Sequence, residues 1–157
     1  HSMKIRHTII EAVATVGYVG RLPKAPGTFG SAIGLIIYFI MPPVPFSLAV
    51  SGLIGFVIFS IWIAGKTEKI LAAKDPACIV IDEVAGMLMT LFAFPKSAVI
   101  GIAGFVIFRG LDMLKPFPVS WVDQHCTGGV GVVMDDVVAG LMGNAVLRLA
   151  LMIVQPS

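Results

Sequence analysis

From Ser31 to Gly65 the chain runs for 35 residues without one Asp, Glu, Lys or Arg. The only interruption is the proline-rich stretch Met41-Pro42-Pro43-Val44-Pro45. A helix that crosses the hydrocarbon core of a bilayer needs about 20 apolar residues, within a range of roughly 17–25. Phe46–Gly65 meets that length, and Thr28–Ile40 is short enough to tilt or cross only part-way. Pro cannot continue a helix interior, so the two segments read as a helical hairpin turned at Pro42–Pro45. Charged residues make up 13% of the 157 residues and hydrophobic ones 57%, against roughly 25% charged in ordinary soluble domains. So few charges cannot cover a water-facing surface. The expectation is one integral membrane domain over residues 3–157. His1-Ser2 ahead of Met3 have the look of an expression scar and are set aside.

The rest of the chain supplies further helices. Asp75-Pro76 reads as an N-cap followed by Pro at the first helical position, opening a helix that runs to Phe94. Ala98–Leu114 is another, stopped by Lys115-Pro116-Phe117-Pro118. Val119–Thr127 reads as a polar connector and Gly128–Gly131 as a flexible loop. The last helix starts near Val132–Asp135 and ends near Val154. Apolar residues at Ile5, Ile9, Val13 and Val16 within Lys4–Tyr18 suit an amphipathic helix lying in the membrane interface. No strand alternation or internal repeat is present. The fold class is therefore all-α: a multi-helical membrane bundle of about four to five membrane helices plus an N-terminal amphipathic helix.

Lys and Arg favour the cytoplasmic side. Lys4, Arg6, Arg21 and Lys24 precede the hairpin and Lys66, Lys69 and Lys74 follow it, while its turn is uncharged. The N-terminus, the 66–74 stretch and the 115–127 stretch are thus expected in the cytoplasm, with Pro42–Pro45 outside. Tyr18, Trp62 and Trp121 read as interfacial aromatics. A net charge of +2 gives no nucleic-acid footprint. Cys78 and Cys126 stand in no metal, redox or disulfide spacing.

In this topology the polar residues that break the apolar pattern fall on one side. Asp82 and Glu83 lie about two turns into the helix from Pro76. Arg109 and Asp112 end the helix that returns to the cytoplasm, and Asp135 and Asp136 begin the last one. These are five of only nine carboxylates. Ionisable groups at membrane depth are costly and face an interior site. Five carboxylates cannot all stay ionised together without a counter-charge, and oxygen ligands without His or Cys suit Mg²⁺ or Mn²⁺ better than zinc. Plainer readings stand beside this. Asp135 or Asp136 would cap the last helix, and Asp112 has helix ion-pair spacing to Arg109 and Lys115. Asp75 reads as a cap, and Glu11 and Glu68 as solvated. A purely structural role is harder to assign to Asp82 and Glu83, which lie inside a run of Ile, Val, Ala and Leu.

Lys24, Thr28 and Ser31 gather at the start of the first hydrophobic helix, where free amides and the helix dipole favour anions. Arg109 and Lys115 bring positive charge to the same face, although Arg21, Lys24 and Lys115 also read simply as cytoplasmic-side charge. Carboxylates for a metal beside cations for an anion point to phosphate chemistry.

Several of these stretches together resemble one family. Leu22-Pro23-Lys24-Ala25-Pro26-Gly27-Thr28-Phe29-Gly30-Ser31 is similar to the opening motif of the phosphatidylglycerophosphatase A family. So are Asp75-Pro76 with Ile81–Gly86, Phe108-Arg109 through Asp112 to Lys115-Pro116, and Gly128–Asp136 with Ala139-Gly140. The ordered blocks cover residues 17 to 145. The resemblance implies an all-helical enzyme of the bacterial inner membrane that hydrolyses phosphatidylglycerophosphate to phosphatidylglycerol and phosphate with Mg²⁺. Carried onto this chain, Asp82, Glu83, Asp112, Asp135 and Asp136 would hold metal. Asp82, Glu83 and Asp136 would be catalytic, with Glu83 or Asp136 as the base. Lys24, Thr28, Ser31, Arg109 and Lys115 would bind the phosphorylated headgroup. The rival reading is a small ion-coupled transporter with a carboxylate cation site. Against it, the acidic groups cluster at one face, and only Asn144 and Arg148 lie deeper in the last helix.

Overall fold

In the computed structural model, residues 2–155 are described and no strand occurs among them. His1, half of the expected scar, and Pro156-Ser157, the last residues of the expected domain, lie outside the described residues. The helices are α1 (Ser2–Ala14), α2 (Pro26–Ile40), α3 (Phe46–Leu71), α4 (Ile81–Thr90), α5 (Ala98–Leu114), α6 (Val119–His125) and α7 (Gly128–Val154), with a 3-10 turn at Val19–Arg21. Of the described helices, α3 at 26 residues and α7 at 27 are long and apolar enough to cross a membrane, and α2 is a shorter apolar helix.

The 10-residue α4 sits at the centre, packed by α2, α3, α5 and α7. At a rise of 1.5 Å per residue it is about 15 Å long, half the thickness of a hydrocarbon core. Two apolar cores meet on it. Ala14, Ile63, Ala64, Ile79, Ile81 and Val133 form one, and Met87, Leu91, Phe108, Val119, Ala139 and Leu147 form the other. The contact of α4 with α7 is close because Gly140 lacks a side chain. A Cβ there would stand 2.5 Å from the Gly86 carbonyl.

Several boundaries differ from the sequence expectation: α1 ends at Ala14 rather than Tyr18, α3 runs on to Leu71, and α4 ends at Thr90 rather than Phe94. Asp75-Pro76 does not open a helix. Asp75 takes φ +44°, and Pro76 begins a turn closed by the Ile79 N–H donating to its carbonyl at 2.9 Å. The Val80 N–H then donates to the Ala14 carbonyl at 3.0 Å, so docking on α1 delays the helix to Ile81. Gly128–Gly131 is no loop: it forms the first turn of α7, because Gly129 must lie against the backbone of Ile61 and Gly65. The Val119–Thr127 connector contains the short α6, whose Pro118 N-cap and Val119 seat it on the core. Ala98–Leu114 is a helix with the ends expected, terminated by Lys115 in the left-handed region at φ +46°.

The far end of α4 is closed by α7. Asn144 Nδ2 donates to the carbonyls of Met89, Thr90 and Phe92 at 3.2, 3.0 and 2.9 Å. Its Oδ1 accepts from Arg148 Nε at 2.8 Å, and Arg148 also donates to the Phe92 carbonyl and lies over the Phe94 ring. These two polar residues thus terminate a half-length helix.

Candidate active site

The late start of α4 moves Asp82 and Glu83 into its first turn. The early start of α7 moves Asp135 and Asp136 about two turns inside it. Neither aspartate is therefore an N-cap, and the capping alternative falls away. Asp82 and Asp136 are buried, Glu83 nearly so, and the three each offer an oxygen within 4.8 Å of the others. One oxygen of each, Asp82 Oδ1, Glu83 Oε2 and Asp136 Oδ2, is buried without any hydrogen-bond partner. Unpartnered buried carboxylate oxygens are expensive, and three converging carboxylates that each carry one could hold a cation. Opposite ligands of an octahedral magnesium ion lie about 4.2 Å apart, so the cluster fits a hard divalent cation in size and in ligand type.

The other two carboxylates each carry their own cation. Asp112 is ion-paired to Arg109 on α5 and stands near enough to Asp136 and Glu83 for their charges to interact. Asp135 accepts from Lys115 Nζ at 2.9 Å and, through Oδ1, from the Asp136 N–H at 2.9 Å. The helix ion pair expected for Asp112 is thus present with Arg109, while Lys115 reaches α7 instead. Lys115 also donates to Asp123 of α6 at 2.8 Å. Its burial pulls the pKa down, but the hydrogen bonds to Asp123 and Asp135 outweigh this and leave it above the ordinary lysine value.

The opening motif joins the cluster through Gly27. A Cβ there would stand 2.7 Å from Glu83 Oε1 and 3.2 and 3.3 Å from the two Arg109 terminal nitrogens. The first turn of α2 therefore touches both signs of charge, and Arg109 Nε remains buried without a partner beside it. Thr28 is half-buried in the same turn and Lys24 is exposed just before it. Ser31 is fully buried, and its hydroxyl donates to the Gly27 carbonyl at 2.9 Å. The structure thus unites Asp82, Glu83 and Asp136 as one cluster, with Asp112, Asp135, Arg109, Lys115 and the α2 start around it. It leaves Lys24 at the rim and turns the Ser31 hydroxyl inward.

Sequence reasoning missed two neighbours. Asp123 holds Lys115 from the far side. Asp75 is not a cap; its N–H donates to Glu68 Oε1 at 2.7 Å. Burial raises its pKa, partly offset by Lys115. Its place before Ile81, inside a block shared with the family resemblance, was the available signal. Glu11, expected in solvent, is largely shielded and pairs with Arg21.

An all-helical bundle with two membrane-length helices among the described residues, a trio of carboxylates that could hold a metal ion and flanking cations has the features of a membrane-associated phosphatase. The chain belongs to the phosphatidylglycerophosphatase A family, whose model matches residues 12–151. It is 36% identical over 129 residues to phosphatidylglycerophosphatase A of Escherichia coli, covering 82% of this chain and 75% of that one. The Haemophilus influenzae protein of the same name is 34% identical over 130 residues, covering 78% and 76%. A Bacteroides thetaiotaomicron protein named "Putative phosphatidylinositol-3-phosphatase" is 35% identical over 139 residues, covering 83% and 86%. No solved structure matches the chain.

Proposed function

We propose that this protein hydrolyses phosphatidylglycerophosphate to phosphatidylglycerol and inorganic phosphate with Mg²⁺ bound by Asp82, Glu83 and Asp136. The observation that carries the site is the convergence of three carboxylates, each with one buried oxygen that has no hydrogen-bond partner. A bound divalent cation supplies charge neutralisation, polarisation of the phosphoryl group and acidification of an attacking water.

The chain's own residues supply the rest. Arg109 presents a planar fork to two phosphate oxygens, a geometry Lys cannot copy, and Asp112 fixes that fork from the same helix. Lys115 offsets Asp135 and keeps it off the phosphate. Lys24, exposed just before α2, and the free amides of the first turn of α2 at the half-buried Thr28 favour the dianionic headgroup as it approaches. Glu83 or Asp136 takes the proton of the attacking water. The new P–O bond forms as the bond to the glycerol oxygen breaks, and that oxygen takes up the proton removed from the water and leaves as the alcohol of phosphatidylglycerol. Asp112 and Asp135 complete the acidic surround. The enzyme is placed in the bacterial inner membrane as a multi-pass protein with this site on the cytoplasmic side, following the basic residues before α2 and after α3.

The test is phosphate release from phosphatidylglycerophosphate in mixed micelles, with EDTA and Mg²⁺ add-back, beside phosphatidylinositol 3-phosphate and phosphatidic acid. Release that needs Mg²⁺ and prefers phosphatidylglycerophosphate supports the reading; no release from any of the three overturns it. Single-cysteine labelling tests the orientation, and labelling of position 43 from the cytoplasm alone would reverse it.

A further inference from the structure

Lys115 stands between two carboxylates supplied by different helices. It ends α5 in the left-handed region, and its Nζ donates to Asp135 Oδ2 of α7 at 2.9 Å and to Asp123 Oδ1 of α6 at 2.8 Å. These are the hydrogen bonds of the ammonium among the described residues. Asp135 is engaged at both oxygens, since its Oδ1 accepts from the Asp136 N–H. The two partners differ in burial: the Asp135 side chain is 7% exposed and that of Asp123 is 40% exposed. Asp123 is presented by α6, whose Val119, one turn earlier on the same face, is fully buried in the core. Inward of Lys115 the charge is negative. Asp75 stands near enough to Lys115 for their charges to interact, and Asp75 and Asp135 both stand as near to Asp82.

We propose that Asp123 is a positioning residue: it anchors the Lys115 ammonium on the outer side, so that the ammonium does not compete with the divalent cation for Asp82, Glu83 and Asp136. The proposal rests on the metal-assisted reading above. An ammonium and a metal ion are alternative counter-charges for the same carboxylates. Lys is suited to that competition, because its charge is compact and its stem flexible. With Asp123 in place, the ammonium is shared between two fixed carboxylates and held where it offsets Asp135. Without Asp123 only Asp135 holds it, and the remaining negative charge draws it inward. A partly exposed ion pair contributes little to stability, so the worth of Asp123 lies in where it keeps Lys115.

The test is a Mg²⁺ titration of the full chain in detergent, read by melting temperature and, separately, by phosphate release. The variants are Asp123→Ala, Asp123→Glu, Lys115→Met and the double variant carrying Asp123→Ala with Lys115→Met. Asp123→Ala should raise the Mg²⁺ midpoint by about three- to tenfold, the order expected when one positive charge moves a few ångström closer at an effective dielectric of about 20. Turnover at saturating Mg²⁺ should recover. Asp123→Glu keeps the charge and the acceptor and should keep the parent midpoint. In the Lys115→Met background the competitor is gone, so Asp123→Ala should no longer shift the midpoint. An equal shift in both backgrounds would show Asp123 acting through space by its own charge and would overturn the proposal. A lower melting temperature with an unmoved midpoint would assign Asp123 to stability alone and overturn it as well. A parent whose melting temperature ignores Mg²⁺ would instead overturn the metal-site reading, and the proposal with it.

Discussion

One methyl group should separate activity from stability in this enzyme. Gly27→Ala places a Cβ 2.7 Å from Glu83 Oε1 and 3.2–3.3 Å from the Arg109 fork. Ordinary contact begins at 3.4 Å, so the carboxylate must withdraw by about 0.7 Å or the start of α2 must lift away by as much. Misplacing a reacting group by 1 Å can cost about 10²-fold, so a shift of this size should lower kcat by roughly ten- to a hundredfold. That is about 1.4–2.7 kcal/mol of barrier. Stability should not follow. The obstacles are the tips of flexible side chains, and Ala gains up to about 1 kcal/mol over Gly in a helix. Gly110→Ala is the control: it neighbours Arg109 in sequence, but its Cβ would meet nothing within 4 Å. Phosphate release in mixed micelles and a thermal melt decide the matter. Unchanged turnover in Gly27→Ala, or a loss matched by Gly110→Ala, would refute the argument that α2 is seated against the reacting groups.

Asp82→Asn, Glu83→Gln and Asp136→Asn should each lower turnover by about 10²-fold or more. In EDTA their melting temperatures should hold or rise, because like charges at close range repel; falling melting temperatures in EDTA would argue for a structural role. Arg109→Lys should reduce catalysis despite keeping the charge, and Arg109→Ala should reduce it further, as read by kcat/KM at matched stability. Lys115→Met removes the counter-charge of Asp135 and should destabilise the fold by about 1–3 kcal/mol, between the values for exposed and buried pairs. Because Lys115 ends above its ordinary pKa of 10.5, its contribution is complete below that value and fades only as pH rises beyond it. Denaturant melts should therefore show a constant deficit across the neutral range. Asn144→Leu removes the side-chain amide that serves the carbonyls of Met89, Thr90 and Phe92 and should cost about 1–3 kcal/mol, with hydrogen exchange rising first at the end of α4.

The charge-free run and its prolines made α2 and α3 legible, and Pro95 and Pro116 bracketed α5. Asp82 and Glu83 stood out because nothing else in their run was polar, and the structure places them together with Asp136. What stayed illegible depended on partners distant in sequence. Asp75-Pro76 has the local chemistry of a helix start, but the hydrogen bond from Val80 to Ala14 fixes the backbone otherwise. The glycines at 128–131 look like slack, yet they are small so that α7 can lie against α3. Spacing placed Lys115 with Asp112 as readily as with a phosphate. Only the fold shows it gripping Asp123 and Asp135 across two other helices.

The closure of α4 by Asn144 and Arg148 has a consequence for how the protein is made. A buried helix end cannot leave its last carbonyls bare, and the amide donor of α4 is encoded more than fifty residues later. While α7 is still in the ribosome, α4 lacks both the donor that ends it and Asp136, the third member of its carboxylate trio. Closure of α4 and completion of the carboxylate trio thus both depend on the packing of the final helix. A chain truncated before α7 would have α4 without its terminal donor and the site without Asp136.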